Sequence, residues 1–176
     1  VPPDSRSNEW RSFVQLSEEL QMVDISLLFK RAEIAFFLNL HNALMIHTHM
    51  HRGTASWESL RWMRSKLIKL HQYRVGSQFY CMQTMQQRVL KLKPGIQPSS
   101  NGSGACHVDP RIHFALSLGC VSSPDVRVFT VEHLDEELDQ ACVETCARDV
   151  HVTYDKNGNA TLHLPKIFKW NIKDFG

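Results

Sequence analysis

Two asparagine side chains interrupt the most apolar stretch of the chain, which runs from Ile34 to Ile46. Asn39 and Asn42 are three residues apart, so they lie on one face of a predicted helix. Asn is a poor helix former and is costly to bury without hydrogen bonds. A polar partner should therefore pack against this face. Either the amides satisfy backbone groups of a loop, or they position a catalytic or ligand-binding group.

A thiol and an imidazole near the apolar run 112–118 are a second candidate for chemistry. His113 lies within this run and Cys120 follows it. A cysteine beside a histidine base forms a thiolate nucleophile, which would suit a thiol-dependent hydrolase or transferase. In that hypothesis Cys120 attacks and His113 is the base. Asn39 or Asn42 orients the base, which requires the amides to lie beside its imidazole.

Three further polar residues are candidate binding residues. Asp109 and Arg111 precede the apolar run, and His47 begins the sequence His-Thr-His-Met-His. His47 and His51 share a helix face, and two histidines at this spacing bind zinc when further ligands are present. The sequence offers no third ligand, so we predict no metal and no other cofactor.

Charge is unevenly distributed along the chain, although the formal net charge is only +2. The basic stretch, residues 61–93, contains eight Lys or Arg and no acid, and its candidate binding residues are Arg61, Arg64 and Lys66. Residues 131–149 carry seven acidic residues and one basic residue. Either the basic stretch binds a phosphate-rich ligand, or its charge pairs with the acidic residues inside the fold.

The elements that must position these residues are mainly helices. Helical periodicity and capping predict helices over residues 8–23, from 25 to about 50, 57–70, 83–92 and 131–148. Residues 73–76 are predicted to form a short strand, and the run 112–118 is either a strand or a helix. Asn157-Gly158, between two β-rich runs, predicts a hairpin because this pair favours a tight turn. The predicted fold is α+β: a helix-rich single domain with a small antiparallel sheet that includes this late β-hairpin.

Composition is typical of a globular domain, with 43% hydrophobic and 22% charged residues in 176. These values exclude a disordered tail, a collagen-like chain and a disulfide-rich mini-protein. The five cysteines are odd in number and lack paired spacings, which indicates free thiols in a reducing compartment. No apolar run is long enough to cross a membrane. We expect a soluble, intracellular, cytoplasmic domain of a longer protein.

The stretch Phe36-Phe37-Leu38-Asn39-Leu40-His41-Asn42-Ala43 resembles a motif of the family called domain of unknown function 547. The resemblance continues at Tyr73–Gly76, Asp109–Leu116, Ser122–Thr130, Lys166–Trp170 and Asp174–Gly176. It implies an α+β module over residues 30–176, often attached to other domains, preceded by a helical lead-in over residues 1–29. The Ser-Ser-Pro sequence is closest to the eukaryotic, plant-like branch. The activity of the family is unassigned.

The chain departs from the family pattern at positions suited to chemistry. His41 replaces a tyrosine, and a Glu-His pair of the family falls on Gln86 and Gln87. Two family cysteines fall on Leu118 and Ser123. We therefore favour a non-catalytic protein-interaction or scaffold module, whose partners are other proteins or other domains of the parent chain. The thiol enzyme and the binding of an anionic, phosphate-rich ligand are the alternatives.

Overall fold

The computed structural model of the chain describes residues 7–52, 68–91, 109–119 and 122–175. The α-helices whose full bounds lie in these residues are α1 (Asn8–Glu19), α2 (Lys30–Arg52), α3 (Met82–Lys91), α4 (Leu134–Asp149) and α5 (Lys166–Trp170), and residues 68–70 are also helical. The strands are β1 (Gln72–Val75), β2 (Gln78–Cys81), β3 (His151–Tyr154) and β4 (Ala160–His163). β1 pairs with β2, and β3 pairs with β4, both antiparallel. The predicted helix-rich α+β class with a late hairpin is confirmed.

Helix α2 lies at the centre of the core. Its side chains Ile34, Phe37 and Leu38 are completely buried, in one cluster with residues of α3, α4 and both strands of the first hairpin. A helix that is apolar around most of its circumference is stable only when several elements cover it. Within the described residues, no helix combines the length and apolar character needed to cross a bilayer.

The second helix begins later than predicted. Asp24 acts as an N-cap, since its carboxylate accepts a hydrogen bond from the Ser26 N–H at 2.9 Å. The cap begins a short 3-10 turn, Ile25–Leu27, however, and α2 starts only at Lys30. Capping chemistry alone does not distinguish a single 3-10 turn from the start of a long helix.

The turn between β1 and β2 contacts the segment that follows α1. The Gly76 N–H donates to the Leu20 carbonyl at 3.0 Å. Gly76 has a φ of +56°, and a Cβ there would lie 2.8 Å from the Val23 carbonyl oxygen. A glycine is therefore required for this approach. The strand expected near residue 73 is confirmed as β1, whereas β2 was not predicted.

The run 112–118 is neither a regular strand nor an α-helix. Pro110–Phe114 form a 3-10 helix capped by Asp109, and its residues Ile112, His113 and Phe114 are buried. The strand alternative is therefore wrong, and the helical alternative holds only for this 3-10 turn. The apolar residues are instead buried because this turn packs between α2 and α4.

The β3–β4 hairpin extends from the body of the domain. All eight of its strand residues are exposed. Val152 lies opposite Leu162, and Tyr154 lies opposite Ala160, so one face of the hairpin is apolar. The predicted turn is confirmed, and its Gly158 has a φ of +82°.

Candidate functional site

The two asparagines of α2 are bound to the backbone of later segments. Asn39 Nδ2 donates to the Phe129 carbonyl, and the Phe129 N–H donates to Asn39 Oδ1, both at 2.8 Å. Asn42 Nδ2 donates to the Ala115 carbonyl at 3.0 Å. The Ser117 N–H donates to Asn42 Oδ1 at 3.2 Å. Each amide thus satisfies one backbone donor and one backbone acceptor, which is the first of the two alternatives considered from the sequence.

His113 forms a dyad with a carboxylate from the end of the chain. Its Nε2 lies 2.8 Å from Asp174 Oδ2, and the imidazole is buried. A carboxylate in this position fixes the tautomer and orientation of an imidazole, as in general acid–base sites. Sequence reasoning did not single out Asp174, although it begins the closing Asp-Phe-Gly motif.

The amide of Asn42 is connected to the His113 imidazole through the backbone that follows His113. Asn42 binds the backbone of Ala115, two residues after His113, while the carboxylate of Asp174 is the hydrogen-bond partner of the imidazole. The expectation that the amides would orient the imidazole is therefore corrected: both amides are occupied by backbone groups. Cys120 lies outside the described residues.

A small cavity of about 40 Å³ lies beside His113. Gln86, Leu118 and Ser123 line this cavity together with the imidazole. These are three of the positions at which the chain departs from the pattern of the family it resembles. Such a volume holds only a few water molecules. The cavity thus combines a His–Asp dyad with an amide, an aliphatic chain and a hydroxyl.

Asp109 and Arg111 belong to an ion-pair network with α4. The Arg111 guanidinium lies 2.7 Å from Asp109, 3.0 Å from Asp135 and 2.9 Å from Asp139. Arg31 of α2 also pairs with Asp135, and this arginine holds the pKa of the Asp135 carboxyl below its ordinary value. The network links α2, the 3-10 turn and α4.

His47 links α1, α2 and β1. Its Nδ1 lies 3.0 Å from the Tyr73 hydroxyl, and its ring makes edge contacts with Trp10 and Phe13. Burial raises the pKa of the Tyr73 hydroxyl. Across the part of the chain that the structure describes, no group of three or more His, Cys, Asp or Glu side chains could hold a metal ion.

The acidic residues of α4 pair with arginines from outside the basic stretch. Their partners include Arg31, Arg111 and Arg127. Within the basic stretch, Arg88 pairs with Glu33 of α2. In the described residues the predicted pairing of the basic stretch with the acidic helix is therefore wrong. Arg61, Arg64 and Lys66 lie outside those residues.

Two cysteines of α4 are packed as small hydrophobic side chains. Cys142 and Cys146 contact a second core cluster that contains Phe114, Ala141 and Ile167. Burial raises the pKa of the Cys142 thiol to about 11. This thiol is therefore protonated at neutral pH and is a poor nucleophile.

His41 is a buried histidine that sequence reasoning did not place in the site. Its side chain is completely buried and its Nδ1 lies 3.4 Å from Asn42 Oδ1, while its Nε2 has no hydrogen-bond partner among the described residues. Burial lowers the pKa of His41 to about 4. The neutral imidazole is therefore the form compatible with the folded protein.

Comparison with known proteins shows the family of the chain. The model of the family described as protein of unknown function, DUF547, matches residues 25–144, and the chain belongs to that family. No curated protein matches the chain, and no solved structure does. The match includes α2, with both asparagines, and extends into α4.

We expect Asn42→Ala to lower the free energy of unfolding by about 2–4 kcal/mol, because the Ala115 carbonyl and the Ser117 N–H lose their partner. Urea denaturation measures the change. Gln15→Ala is the control, since it removes an exposed helical amide and should change stability by less than about 0.5 kcal/mol. Equal losses in the two variants would contradict a structural role for the Asn42 amide.

We expect stability to fall as the pH decreases from about 6.5 towards 4, in part because of His41. The unfolded chain binds a proton at this histidine near pH 6.5, whereas the folded protein does so only near its lowered pKa of about 4. The slope is about 1.4 kcal/mol per pH unit for one proton. His41→Phe should reduce the slope in urea denaturation, whereas the exposed control His133→Phe should not. An unchanged slope in His41→Phe would refute this assignment.

Proposed function

We propose that this DUF547 domain is a non-catalytic module that binds another protein or another domain of its parent chain. The observation that carries the proposal is the lining of the cavity beside His113. We place the domain in the plant-like branch of its family and in the cytoplasm. The free thiols of Cys81, Cys142 and Cys146 support a reducing compartment.

Among the described residues that line the cavity, the oriented imidazole lies beside an amide, an aliphatic chain and a hydroxyl. Where the family pattern has a glutamate and two cysteines, this chain has Gln86, Leu118 and Ser123. An amide does not accept a proton at neutral pH, and leucine has no nucleophilic atom. The Ser123 Oγ accepts a hydrogen bond from the Leu118 N–H at 3.2 Å. The contact between His113 and Asp174 supports a structural role for this pair, which is to hold the C-terminal segment on the domain.

The domain boundaries are part of the same proposal. We keep residues 1–29 as a lead-in and residues 30–176 as the family-like domain. The family match begins at residue 25, within the last residues of the lead-in. Phe13 and Leu20 of the lead-in pack against the main core, which supports their acting as one folded unit.

The β3–β4 hairpin supports a binding function. An isolated two-stranded hairpin is marginally stable in water, because too little apolar area is buried. The apolar face of this hairpin exposes Val152, Tyr154 and Leu162. The opposite face carries His151 and His163, whose rings stack at 4.6 Å. We propose that the apolar face receives a protein partner that contributes apolar side chains of its own.

A photo-crosslinking amino acid at Tyr154 should form a discrete adduct with a protein partner in cells. Mass spectrometry then distinguishes a second protein from another domain of the parent chain or a second copy. The additional substitution Leu162→Lys should abolish the adduct, because it places a charge on the apolar face. The matched control carries the crosslinker at Thr153, on the opposite face. No adduct from Tyr154, or the same adducts from both positions, would refute the proposed surface.

The alternative, a thiol enzyme with Cys120 as nucleophile, predicts an unusually reactive thiol. In the non-catalytic module, we expect Cys120 to react with iodoacetamide at pH 7 no more than about tenfold faster than Cys81. Mass spectrometry gives the rate at each cysteine, and the buried Cys142 is the slow reference. A much faster reaction at Cys120 that is lost in His113→Gln would favour the enzyme instead.

A second candidate function, binding of an anionic ligand by the basic stretch, is also supported by an observation. Arg74 and Arg88 of this stretch both line one groove, which lies between the segment after α1 and the first hairpin. Neither pairs with the acidic residues of α4.

A further inference from the structure

A groove of about 680 Å³ lies between the segment after α1 and the first hairpin. Residues 21–26 form one wall, and residues 74–78 form the other. Tyr80 and Arg88 complete the lining. The volume lies within the range of sites that hold small molecules. The groove is separate from the cavity beside His113, with which it shares no lining residue.

Arg88 is held in place by groups around its guanidinium. Its Nε donates to the carboxylate of Glu33, a residue that is only 7% exposed. The guanidinium carbon also lies 5.2 Å from the centre of the Phe37 ring and 6.0 Å from that of Tyr80. The Tyr80 hydroxyl in turn donates to Gln78 at 2.6 Å. An arginine positioned in this way loses little side-chain entropy when it binds an anion.

Arg74, which lies in β1, contributes a second guanidinium to the lining of the groove. Its Nε donates to the Gly76 carbonyl at 3.2 Å, and it forms no ion pair with any residue that the structure describes. The acid on the facing wall is Asp24, whose carboxylate accepts hydrogen bonds from Ser26. These bonds lower the pKa of Asp24, so it is ionised at neutral pH.

The remaining walls are partly apolar. Met22 and Ile25 lie on one side. Met22 is largely exposed, and Ile25 is partly buried. A ligand that fits both kinds of wall carries an anionic group and an apolar body. Guanidinium groups match the geometry of phosphate oxygens especially well.

We propose that this groove binds an amphiphilic phosphate, with its phosphate group at Arg74 and Arg88 and its apolar body against Met22 and Ile25. The proposal gives the anionic-ligand candidate a defined site. It does not depend on the non-catalytic role of the His113 cavity or on the β3–β4 hairpin. The groove could bind its ligand even if the proposals for the cavity and the hairpin were both wrong. Those two proposals could likewise be right if the groove bound nothing.

Hexyl phosphate is the probe, and NMR titration of the intact chain measures its binding through the amide signals of Val23 and Gly76. Arg74→Gln should weaken binding about tenfold, which corresponds to the loss of one charge-assisted contact. Asp24→Asn should strengthen binding by about two- to threefold, because it removes a negative charge while keeping an N-cap residue. The control Lys156→Gln, in the distant hairpin turn, should leave the affinity unchanged.

Arg88 requires a compensated variant, because Arg88→Gln alone would leave the buried Glu33 without a partner. The double variant Glu33→Gln with Arg88→Gln removes both charges, and it should also weaken the binding of hexyl phosphate. Circular dichroism verifies that the double variant is folded. Should it be unfolded, Arg74→Gln and Asp24→Asn still decide the question, since both positions are at the surface.

Three comparisons identify the ligand more closely. Hexanol should not bind, and inorganic phosphate should bind more weakly than hexyl phosphate. Vesicles of phosphatidylcholine containing phosphatidic acid test a lipid surface as the source of the phosphate. Binding to these vesicles that is lost in Arg74→Gln indicates a lipid headgroup, whereas binding of hexyl phosphate alone indicates a free organic phosphate. Equal binding of hexanol, or affinities that do not change in Arg74→Gln and Asp24→Asn, would overturn the proposal.

Discussion

Two carboxamides on α2 form hydrogen bonds with backbone groups of segments that belong to no sheet, as a neighbouring strand would do in a sheet. The backbone groups of Ala115, Ser117 and Phe129 lie in irregular parts of the chain close to the core. Buried backbone groups must be hydrogen-bonded, and a side-chain amide offers a donating NH2 group and an accepting oxygen held in a fixed geometry. Asn39 and Asn42 therefore allow polypeptide without regular structure to pack directly against the most apolar helix.

The rest of the domain reinforces the same connections with charge. Arg31 and Arg111 join α2 and the 3-10 turn to α4, while His113 joins this turn to Asp174. Within the basic stretch, Arg88 pairs instead with Glu33 of α2. Arg74 and the positioned Arg88 both line the groove beside the first hairpin. The two charged parts of the sequence thus differ in the fold. The acidic helix forms ion pairs with arginines of other elements, and the basic stretch contributes two arginines to the groove.

The cavity beside His113 and the groove beside Arg88 differ in what they can accommodate. One is a space of about 40 Å³ whose described lining includes His113, Gln86, Leu118 and Ser123. The other is an open groove of about 680 Å³ with two guanidinium groups in its lining. The family match covers residues on both, including His113 and Arg88.

Local sequence patterns predict the helix-rich α+β class, the late hairpin and the need for a polar partner at Asn39 and Asn42. These depend on local periodicity, turn chemistry and the cost of burying an amide, all of which short segments reveal. The backbone groups that the amides bind, and the contact of Asp174 with His113, become evident only in the folded chain. Those contacts join residues 61 or more positions apart, and no local pattern specifies which distant groups a folded chain brings together. The 3-10 turn at 110–114 has the same origin, because its apolar residues fit a strand equally well until packing between α2 and α4 selects the turn.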